Sequence, residues 1–478
     1  MSKEKVKKFG IDLTGDTQGF KTSWGMMPSG NSDGRDDFGL GTGENKEPIM
    51  KLGETTISDS ELDSLCGKNA YDSITKISDY LYEVNYNDIN YEYGEKFINE
   101  LYNRGERISG ACSSVRKDNM YGRNYDWTYD NSVSFIVRVP ANKSRHASIG
   151  VSGSIKELTR DVVESRSFSE AYRGLPFVMM DGINDAGVVC NINVVPSGDM
   201  GITTGTNPGS PIRKCAVELI RFILDNFDSA SKAAYYIKDN VDVYAPRTKT
   251  GTDECHIMIA DANKTFVLEF VDVIEDGRKI HKCVVLEPYN KFMTNFYLKD
   301  ATMKPDGHVD IDSVTDFAMG IERYNMIADA YESLDTSSPV GMTSLMNSLI
   351  YTKAYDSTVD PFWKTEFVGD NTSYGFGVYT VRTPQSEMQE FLDFVIENYE
   401  SRSRDTGTTW QTVHSSVYDM NSKTLYVISQ ENTTKQSAFS ILRPSPGIPS
   451  TAGLPDGDYT LKATILNGET SFSWESGD

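Results

Sequence analysis

The sequence lacks the signatures of several large protein classes. It has only 5 histidines and no HExxH motif, so we predict no metal site and no cofactor. The GxSxG motif of serine hydrolases is absent as well. No apolar run approaches the ~18 residues that suggest a membrane-spanning helix, and none follows the basic start of the chain. We therefore predict neither a membrane span nor a signal peptide.

Cysteine is scarce, and its spacing excludes the usual frameworks. There is no CxxC pair, and several cysteines lie in apolar stretches, so neither disulfides nor a structural zinc site is expected. Free thiols indicate a reducing compartment, which predicts a cytoplasmic protein. The cysteines are Cys66, Cys112, Cys190, Cys215, Cys255 and Cys283.

Positive charge is in deficit. The 47 lysines and arginines face 69 acidic residues, which gives a net charge of −22. A chain this acidic is repelled by nucleic acids and by anionic membranes, so we predict neither as a partner. The 38% of hydrophobic residues is enough to build a substantial core.

The chemically most informative stretch is a predicted hairpin that begins at Cys112. One strand runs from Cys112 to Arg116, a polar turn follows at 117–119, and the returning strand carries Arg123 and Asp126. A nearby cation favours a thiolate, and a carboxylate can orient a base. Without such neighbours, a cysteine among small residues is more often inert packing.

The same stretch resembles a known family. Cys-Ser-Ser followed by Gly-Arg-Asn-Tyr-Asp-Trp is similar to the start of the mature chain in choloylglycine hydrolases, penicillin V acylases and their acid-ceramidase-like relatives. Those proteins are N-terminal-nucleophile amide hydrolases. The resemblance implies autocleavage after Ala111, so that the α-amine of Cys112, with a pKa near 8, accepts the thiol proton. Arg123 would lower the thiol pKa, and Asp126 would hold the amine.

Later segments match the family in order. A Gly-x-Asn-x-x-Gly turn at 182–187 leads into a strand where Asn193 is the expected oxyanion-hole side chain. Asn191 is the alternative, because the two residues alternate onto the same face. The Thr-Asn motif at Asn295 implies a second oxyanion contact, and Arg323 matches a helix arginine that reaches back to the nucleophile.

Two histidines offer another interpretation. A papain-like pair could use Cys112 with His256 or His414, but the local cysteine signature of those proteases is missing. His256 lies in a predicted strand at 255–260, so we expect it to pack in a sheet.

The order of elements predicts the fold class. Strand pairs with short turns, separated by amphipathic helices, favour two packed sheets covered by helices. The resemblance implies an α+β fold, a four-layer αββα sandwich of two antiparallel sheets. We predict a flexible N-terminal segment at 1–58, a helical propeptide at 59–111, a catalytic domain at 112–443, and a linker with a C-terminal hairpin at 444–478.

Helices are predicted from apolar spacing. Ile74, Ile77, Tyr80 and Leu81 would share one helical face, and a second helix would cover 91–101. Further helices are predicted at 212–226, 228–238, 318–333, 340–350 and 386–399.

The predicted activity is hydrolysis of a linear amide C–N bond in a small molecule with a hydrophobic acyl group. The resemblance implies conjugated bile acids, fatty acyl amides, N-acyl amino acids or phenoxyacetyl penicillins as substrates. One alternative is an acyltransferase, in which an amine captures the same acyl-thioester. A non-catalytic binding protein on the same fold is another. Assembly into homodimers or homotetramers stays open.

Overall fold

A computed structural model defines the fold over most of the chain between residues 74 and 349 and over two later stretches. The described residues are 74–103, 111–129, 133–153, 155, 158–165, 171–195, 205–248, 251–252, 254–288, 291–299, 301–310, 313, 317–318, 320–349, 409–429 and 436–441, with the strands of the small sheets named below.

Fifteen strands form two large sheets. In chain order they are β1 (Ile74–Ser78), β2 (Leu81–Asn85), β3 (Ala111–Lys117), β4 (Met120–Tyr129), β5 (Ser134–Val139), β6 (Ser148–Ser152), β7 (Met179–Asn184), β8 (Val189–Val194), β9 (Cys255–Ala260), β10 (Thr265–Glu275), β11 (Arg278–Leu286), β12 (Phe292–Met293), β13 (Thr409–Asp419), β14 (Thr424–Ser429) and β15 (Gln436–Ser440). The nine-stranded sheet has the order β11-β10-β9-β8-β7-β6-β5-β2-β1, and the six-stranded sheet has the order β12-β3-β4-β13-β14-β15.

Helices cover the outer faces of both sheets. The longer ones are α1 (Tyr91–Asn103), α2 (Ala216–Asn226), α3 (Ala230–Asn240), α4 (Ile321–Tyr331) and α5 (Pro339–Ser348). Helices α2 and α3 pack on the nine-stranded sheet, and α4 and α5 pack on the six-stranded sheet. Short helical turns lie at Arg160–Glu164, Ala171–Gly174 and Leu175–Phe177. Strands β8 and β3 bring the inner faces of the two sheets into contact.

The predicted four-layer αββα sandwich is confirmed by this arrangement. Neighbouring strands run antiparallel, as predicted, except that β2 pairs with β5 in parallel. Both faces of each sheet are covered, which explains why β5, β7, β8 and β9 are buried along their whole length.

The other described strands form smaller sheets. Two-stranded pairs join Ile11–Asp12 with Lys21–Thr22, Ile212–Cys215 with Val241–Tyr244, Arg247–Thr248 with Gly251–Thr252, Thr302–Met303 with Val309–Asp310, and Tyr459–Leu466 with Glu469–Ser476. A four-stranded sheet has the order Phe317–Ala318, Tyr379–Pro384, Asn371–Phe376 and Trp363–Val368. The pair at 459–476 agrees with the predicted C-terminal hairpin.

The prediction of a helix through Ile74, Ile77, Tyr80 and Leu81 is wrong. These residues form the hairpin of β1 and β2, which turns at 79–80 and pairs with β5 at the edge of the nine-stranded sheet. Over so short a segment the apolar spacing fits both a helix and a strand. Pairing of β2 with β5, 53 residues further along the chain, decided for the strand. The second predicted helix of this segment is present as α1.

Helix α2 begins later than predicted. Residues Ile212–Cys215 form a short strand parallel to Val241–Tyr244, and the helix starts after Cys215. The carboxylate of Glu218 accepts a hydrogen bond from the backbone N–H of Cys215 at 2.8 Å, which caps the helix at this point. The predicted helix at 386–399 lies outside the described residues, as does nearly all of 1–58. The predicted domain boundaries therefore stay predictions.

Two further observations bear on the sequence. No helix among the described residues is long and apolar enough to cross a membrane. The five cysteines in the described part of the chain are buried and form no disulfide bond, namely Cys112, Cys190, Cys215, Cys255 and Cys283.

Candidate active site around Cys112

Cys112 lies near the start of β3 with its side chain turned toward the nine-stranded sheet and fully buried. The register of the β3–β4 hairpin sets Cys112 opposite Tyr125 and Ser114 opposite Arg123, so these side chains share one face. Asp118 takes a left-handed conformation with φ 49° in the tight turn. The tight turn thus keeps Arg123 near the cysteine, and the Nη2 of Arg123 donates to the Cys112 Sγ at 3.0 Å.

The thiol is protonated in this environment. Burial raises the pKa of Cys112 to about 12, although Arg123 and Arg323 act in the opposite direction. Arg123 thus acts on the thiol pKa in the predicted direction in the uncut chain, but burial has the larger effect there. Loss of hydration of the thiolate outweighs the two guanidinium groups.

Asp126 lies on the other face of the same hairpin, toward the helices. A β-bulge between Thr412 and His414 shifts the pairing of β13 with β4 by one residue. Thr412 therefore faces Asp126 and donates to its Oδ1 at 2.5 Å, whereas His414 faces the opposite side. The Oδ2 of Asp126 is 3.6 Å from the Nη1 of Arg323. Burial raises the pKa of Asp126, and Arg323 and Thr412 counteract this.

Arg323 reaches from α4 to the backbone of Cys112. Its Nη1 donates to the Cys112 carbonyl oxygen and, at 2.7 Å, to Ser113 Oγ, and its Nη2 donates to Asn295 Oδ1 at 2.8 Å. Gly320 precedes the helix with φ +74°, and a Cβ there would lie 2.5 Å from Arg323 Nη2. The guanidinium of Arg323 thus lies against Gly320, where a side chain would displace it.

Asn295 completes the surroundings of the Cys112 backbone. The backbone N–H of Cys112 donates to Asn295 Oδ1 at 3.0 Å. The Nδ2 of Asn295 donates to the Val194 carbonyl at 2.7 Å, so this side chain also ties β8 to the site. In the intact chain the partner of the Cys112 N–H is therefore Asn295 rather than Asp126.

Asn193 and Asn191 share the inner face of β8, as the alternation predicts. The Nδ2 of Asn193 donates to the Thr294 carbonyl at 2.9 Å, and its Oδ1 accepts from Ser114 Oγ at 3.3 Å. The Nδ2 of Asn191 donates to Asn193 Oδ1 at 2.6 Å. The amide group of Asn193 thus contacts Ser114 of β3 and the loop that carries Asn295.

A second set of charged and polar residues around Arg123 was not predicted from the sequence. Asp181 on β7 accepts from Arg123 Nη1 at 2.7 Å and lies 3.0 Å from His414 Nε2. Tyr418 donates to its other carboxylate oxygen. The available signal was an acidic residue directly after the apolar run at 177–180, because a charge buried with such a run needs a partner.

His256 packs in the nine-stranded sheet, as predicted. Its Nε2 is 2.8 Å from the Thr294 carbonyl, and its Nδ1 is 3.5 Å from Glu269. Glu269 in turn accepts the backbone N–H groups of Leu298 and Lys299 at 2.6 and 2.9 Å. Together these contacts fix the loop that presents Asn295.

Most of the predicted site residues thus come together. Cys112, Arg123, Asn295 and Arg323 are in direct contact, and Asp126 joins them through Arg323. Asn193 joins this group through its contacts with Ser114 and Thr294. Among the described residues there is no group of His, Cys, Asp and Glu that could hold a metal ion.

Comparisons with known proteins give weak likenesses. No family model and no curated protein matches the chain. A mutant of conjugated bile acid hydrolase from Clostridium perfringens is similar with a TM-score of 0.40 and 12% identity, over 70% of this chain and 93% of that one. A second variant of that hydrolase has a TM-score of 0.34 and 12% identity, over 77% and 97%.

Penicillin V acylase from Agrobacterium tumefaciens is similar with a TM-score of 0.31 and 15% identity, over 70% of this chain and 86% of that one. All three TM-scores are below 0.5, so the fold and the site rest on the geometry of this chain itself.

Proposed function

We propose that the protein is a cysteine amidohydrolase of the N-terminal-nucleophile type, activated by cleavage of its own Ala111–Cys112 bond. The observation that carries this proposal is the pair of guanidinium groups at Cys112. Arg123 donates to the sulfur, and Arg323 donates to the carbonyl oxygen of the same residue. An inert packing cysteine has no need of two buried cations.

The proposed first step acts on the chain itself. The sulfur of Cys112 adds to the Ala111 carbonyl carbon, the C–N bond breaks, and the leaving nitrogen takes up a proton. Water then hydrolyses the thioester, which returns the thiol and leaves a carboxylate on Ala111. Arg123 would stabilise the developing thiolate, which the intact chain disfavours because burial raises the pKa of Cys112 to about 12.

After cleavage, the new α-amine of Cys112 would act as the base. Free α-amines have pKa values near 8, so a fraction is neutral at pH 7 and can accept the thiol proton. Asn295 Oδ1 already accepts a hydrogen bond from this nitrogen in the intact chain. Asn295 would therefore orient the amine, with Asp126 close by as the buried carboxylate.

The oxyanion of substrate turnover would be stabilised by amide groups of Asn193 and Asn295. In the intact chain these groups donate to the carbonyls of Thr294 and Val194. We propose that they turn toward substrate once the chain is cut. Each donor of this kind typically lowers the barrier by about 3–4 kcal/mol.

The proposed substrate is a small molecule with a linear amide and a hydrophobic acyl group. The amine part would leave as the acyl group is transferred to sulfur, and water would release the acid. The acyl preference rests on the sequence resemblance alone. It is tested with a panel of conjugated bile acids, N-acyl amino acids and phenoxymethylpenicillin, by detecting the released amine.

The intact mass of the purified, denatured protein tests the proposal. We expect a fragment that begins at Cys112 in the wild type and a single full-length chain in Cys112→Ala. Cys283→Ala is the matched control, since it also replaces a buried cysteine but lies on β11. It should cleave as the wild type does. Cleavage at the same bond in Cys112→Ala would refute the proposal.

A further inference from the structure

Arg123 is a buried cation that bridges the two sheets. It belongs to β4 of the six-stranded sheet, and its fully buried side chain forms an ion pair with Asp181 on β7 of the nine-stranded sheet. The Nη1 atom donates to Asp181, and the Nη2 atom donates to Cys112 Sγ and to the Ile192 carbonyl. The guanidinium is thus held on one side by a carboxylate while its other side contacts the sulfur.

Asp181 is itself held by two side chains of β13. Tyr418 donates to one carboxylate oxygen, and His414 Nε2 lies 3.0 Å from the other. His414 and Tyr418 are four residues apart on one strand, so both project toward the nine-stranded sheet. His414 also packs against the ring of Tyr125, at 5.2 Å between ring centres.

The protonation states agree with this geometry. Burial disfavours a charge on Asp181, but Arg123, His414 and Tyr418 outweigh it and lower the pKa of the carboxyl. Burial lowers the pKa of His414, so the imidazole is neutral. The Nε2 of this neutral imidazole lies beside Asp181 and, at 3.2 Å, beside Arg123 Nη1, so His414 packs against the ion pair without adding a charge that would compete with Arg123 for Asp181.

We propose that Asp181 is a positioning residue for the reaction of Cys112, and that His414 and Tyr418 hold it in place. This inference rests on the proposed function. Asp181 acts through Arg123: it fixes the direction in which the guanidinium meets the sulfur, both for self-cleavage and for turnover. Without it, Arg123 would turn toward other buried acceptors and leave the thiolate.

The sign of the change in thiol pKa separates this role from a simple charge effect. The charged groups around the sulfur are Arg123, Arg323, Asp126 and Asp181, and the charge of Asp181 by itself raises the pKa of Cys112. Removing that charge should lower the thiol pKa if nothing else changes. Loss of a positioned Arg123 should raise it instead.

The experiment is the pH profile of Cys112 alkylation by iodoacetamide in the cleaved enzyme, followed by peptide mass. We expect Asp181→Asn to shift the profile upward by about one pH unit, which is about tenfold slower alkylation at a fixed pH. Self-cleavage and kcat should fall about tenfold or more, with KM little changed. The control is Asp225→Asn, which breaks another buried ion pair, with Arg221 on α2.

Asp225→Asn should lose stability but keep the wild-type alkylation profile. If Asp181→Asn does not fold or does not cleave, Tyr418→Phe tests the positioning role instead. It removes one hydrogen bond to Asp181 and keeps the charges of Asp181 and Arg123. It should shift the profile in the same direction by a smaller amount. A downward or absent shift in the folded variant overturns the positioning role. A wild type that neither cleaves nor alkylates at Cys112 instead contradicts the proposed function.

Discussion

Two buried ion pairs lie in different regions of this molecule. One joins two strands of a single sheet, and the other links the two sheets beside Cys112. Glu83 on β2 pairs with Arg138 on β5, within the nine-stranded sheet. Arg123 and Asp181 pair across the gap between the two sheets. The first pair joins strands that precede and follow Cys112 in the sequence, and the second holds a cation at the Cys112 sulfur.

The comparison indicates that the proposed cleavage would leave the fold intact. The segment 74–103 contributes two strands and a helix to the fold, and Phe97, Ile98 and Leu101 of α1 are buried. Tyr91 of the same helix donates to Asp225 on α2 at 2.6 Å. Cutting the bond before Cys112 removes none of these contacts. We therefore expect the N-terminal fragment to stay bound after cleavage.

The largest effect should come from breaking the pair at the sulfur. Arg123→Met keeps most of the volume but leaves Asp181 buried without a cation. We expect a loss of about 3–5 kcal/mol in the free energy of unfolding and no self-cleavage. Urea denaturation and intact mass measure the two effects. A stable variant that still cleaves would show that Arg123 has no part in the chemistry.

The second prediction concerns the pair that holds the segment. Glu83→Gln should lower the free energy of unfolding by about 3 kcal/mol, because Arg138 loses its buried counter-charge. Cleavage should proceed, since Cys112 and its partners are untouched. After cleavage, size-exclusion chromatography followed by mass analysis should show partial loss of the N-terminal fragment, which the wild type retains. Equal retention in both proteins would contradict this role of the pair.

A smaller effect is expected at Gly320. A side chain there would be strained at φ +74° and would displace the guanidinium of Arg323. Gly320→Ala should cost about 1–2 kcal/mol in stability and slow self-cleavage. Thermal unfolding and a cleavage time course measure both. Gly277→Ala is the control, since Gly277 has φ +73° but no atoms within 4 Å of an added Cβ. It should lose stability without slowing cleavage.

The smallest effect should come from an exposed ion pair of the same N-terminal segment. Lys76 is 2.9 Å from Glu164, and the side chains are 47% and 37% exposed, respectively. Lys76→Gln should change the free energy of unfolding by less than about 1 kcal/mol and leave fragment retention unchanged. Urea denaturation beside Glu83→Gln would show whether burial of the pair decides its importance.

Local patterns predicted the hairpin around Cys112, whereas the more distant contacts were implied by the family resemblance. The hairpin that carries Cys112, Arg123 and Asp126 could be read from strand alternation and one polar turn. Arg323 and Asn295 followed from motif order, and both do contact Cys112. The hairpin could be predicted because nearby residues set its conformation, whereas the contacts of Arg323 and Asn295 with Cys112 depend on the tertiary fold.

Other features could not be read in this way. The segment through Ile74 and Leu81 carries spacing that fits a helix, yet it is a hairpin because β5 offers an edge for pairing. His414 is set against Asp181 by a bulge after Thr412 in a strand almost 300 residues from Cys112. A bulge changes which face a side chain takes, and sequence alternation does not reveal it.

The sequence by itself determined the hairpin that carries Cys112 and Arg123 and much of the strand and helix content around it. The tertiary structure decided which charges meet. Arg123 pairs with Asp181, Arg323 binds the Cys112 carbonyl, and the thiol is buried deeply enough that its pKa is raised rather than lowered. Alternation and turns act over a few residues, whereas burial and ion pairing depend on which faces of the two sheets pack together.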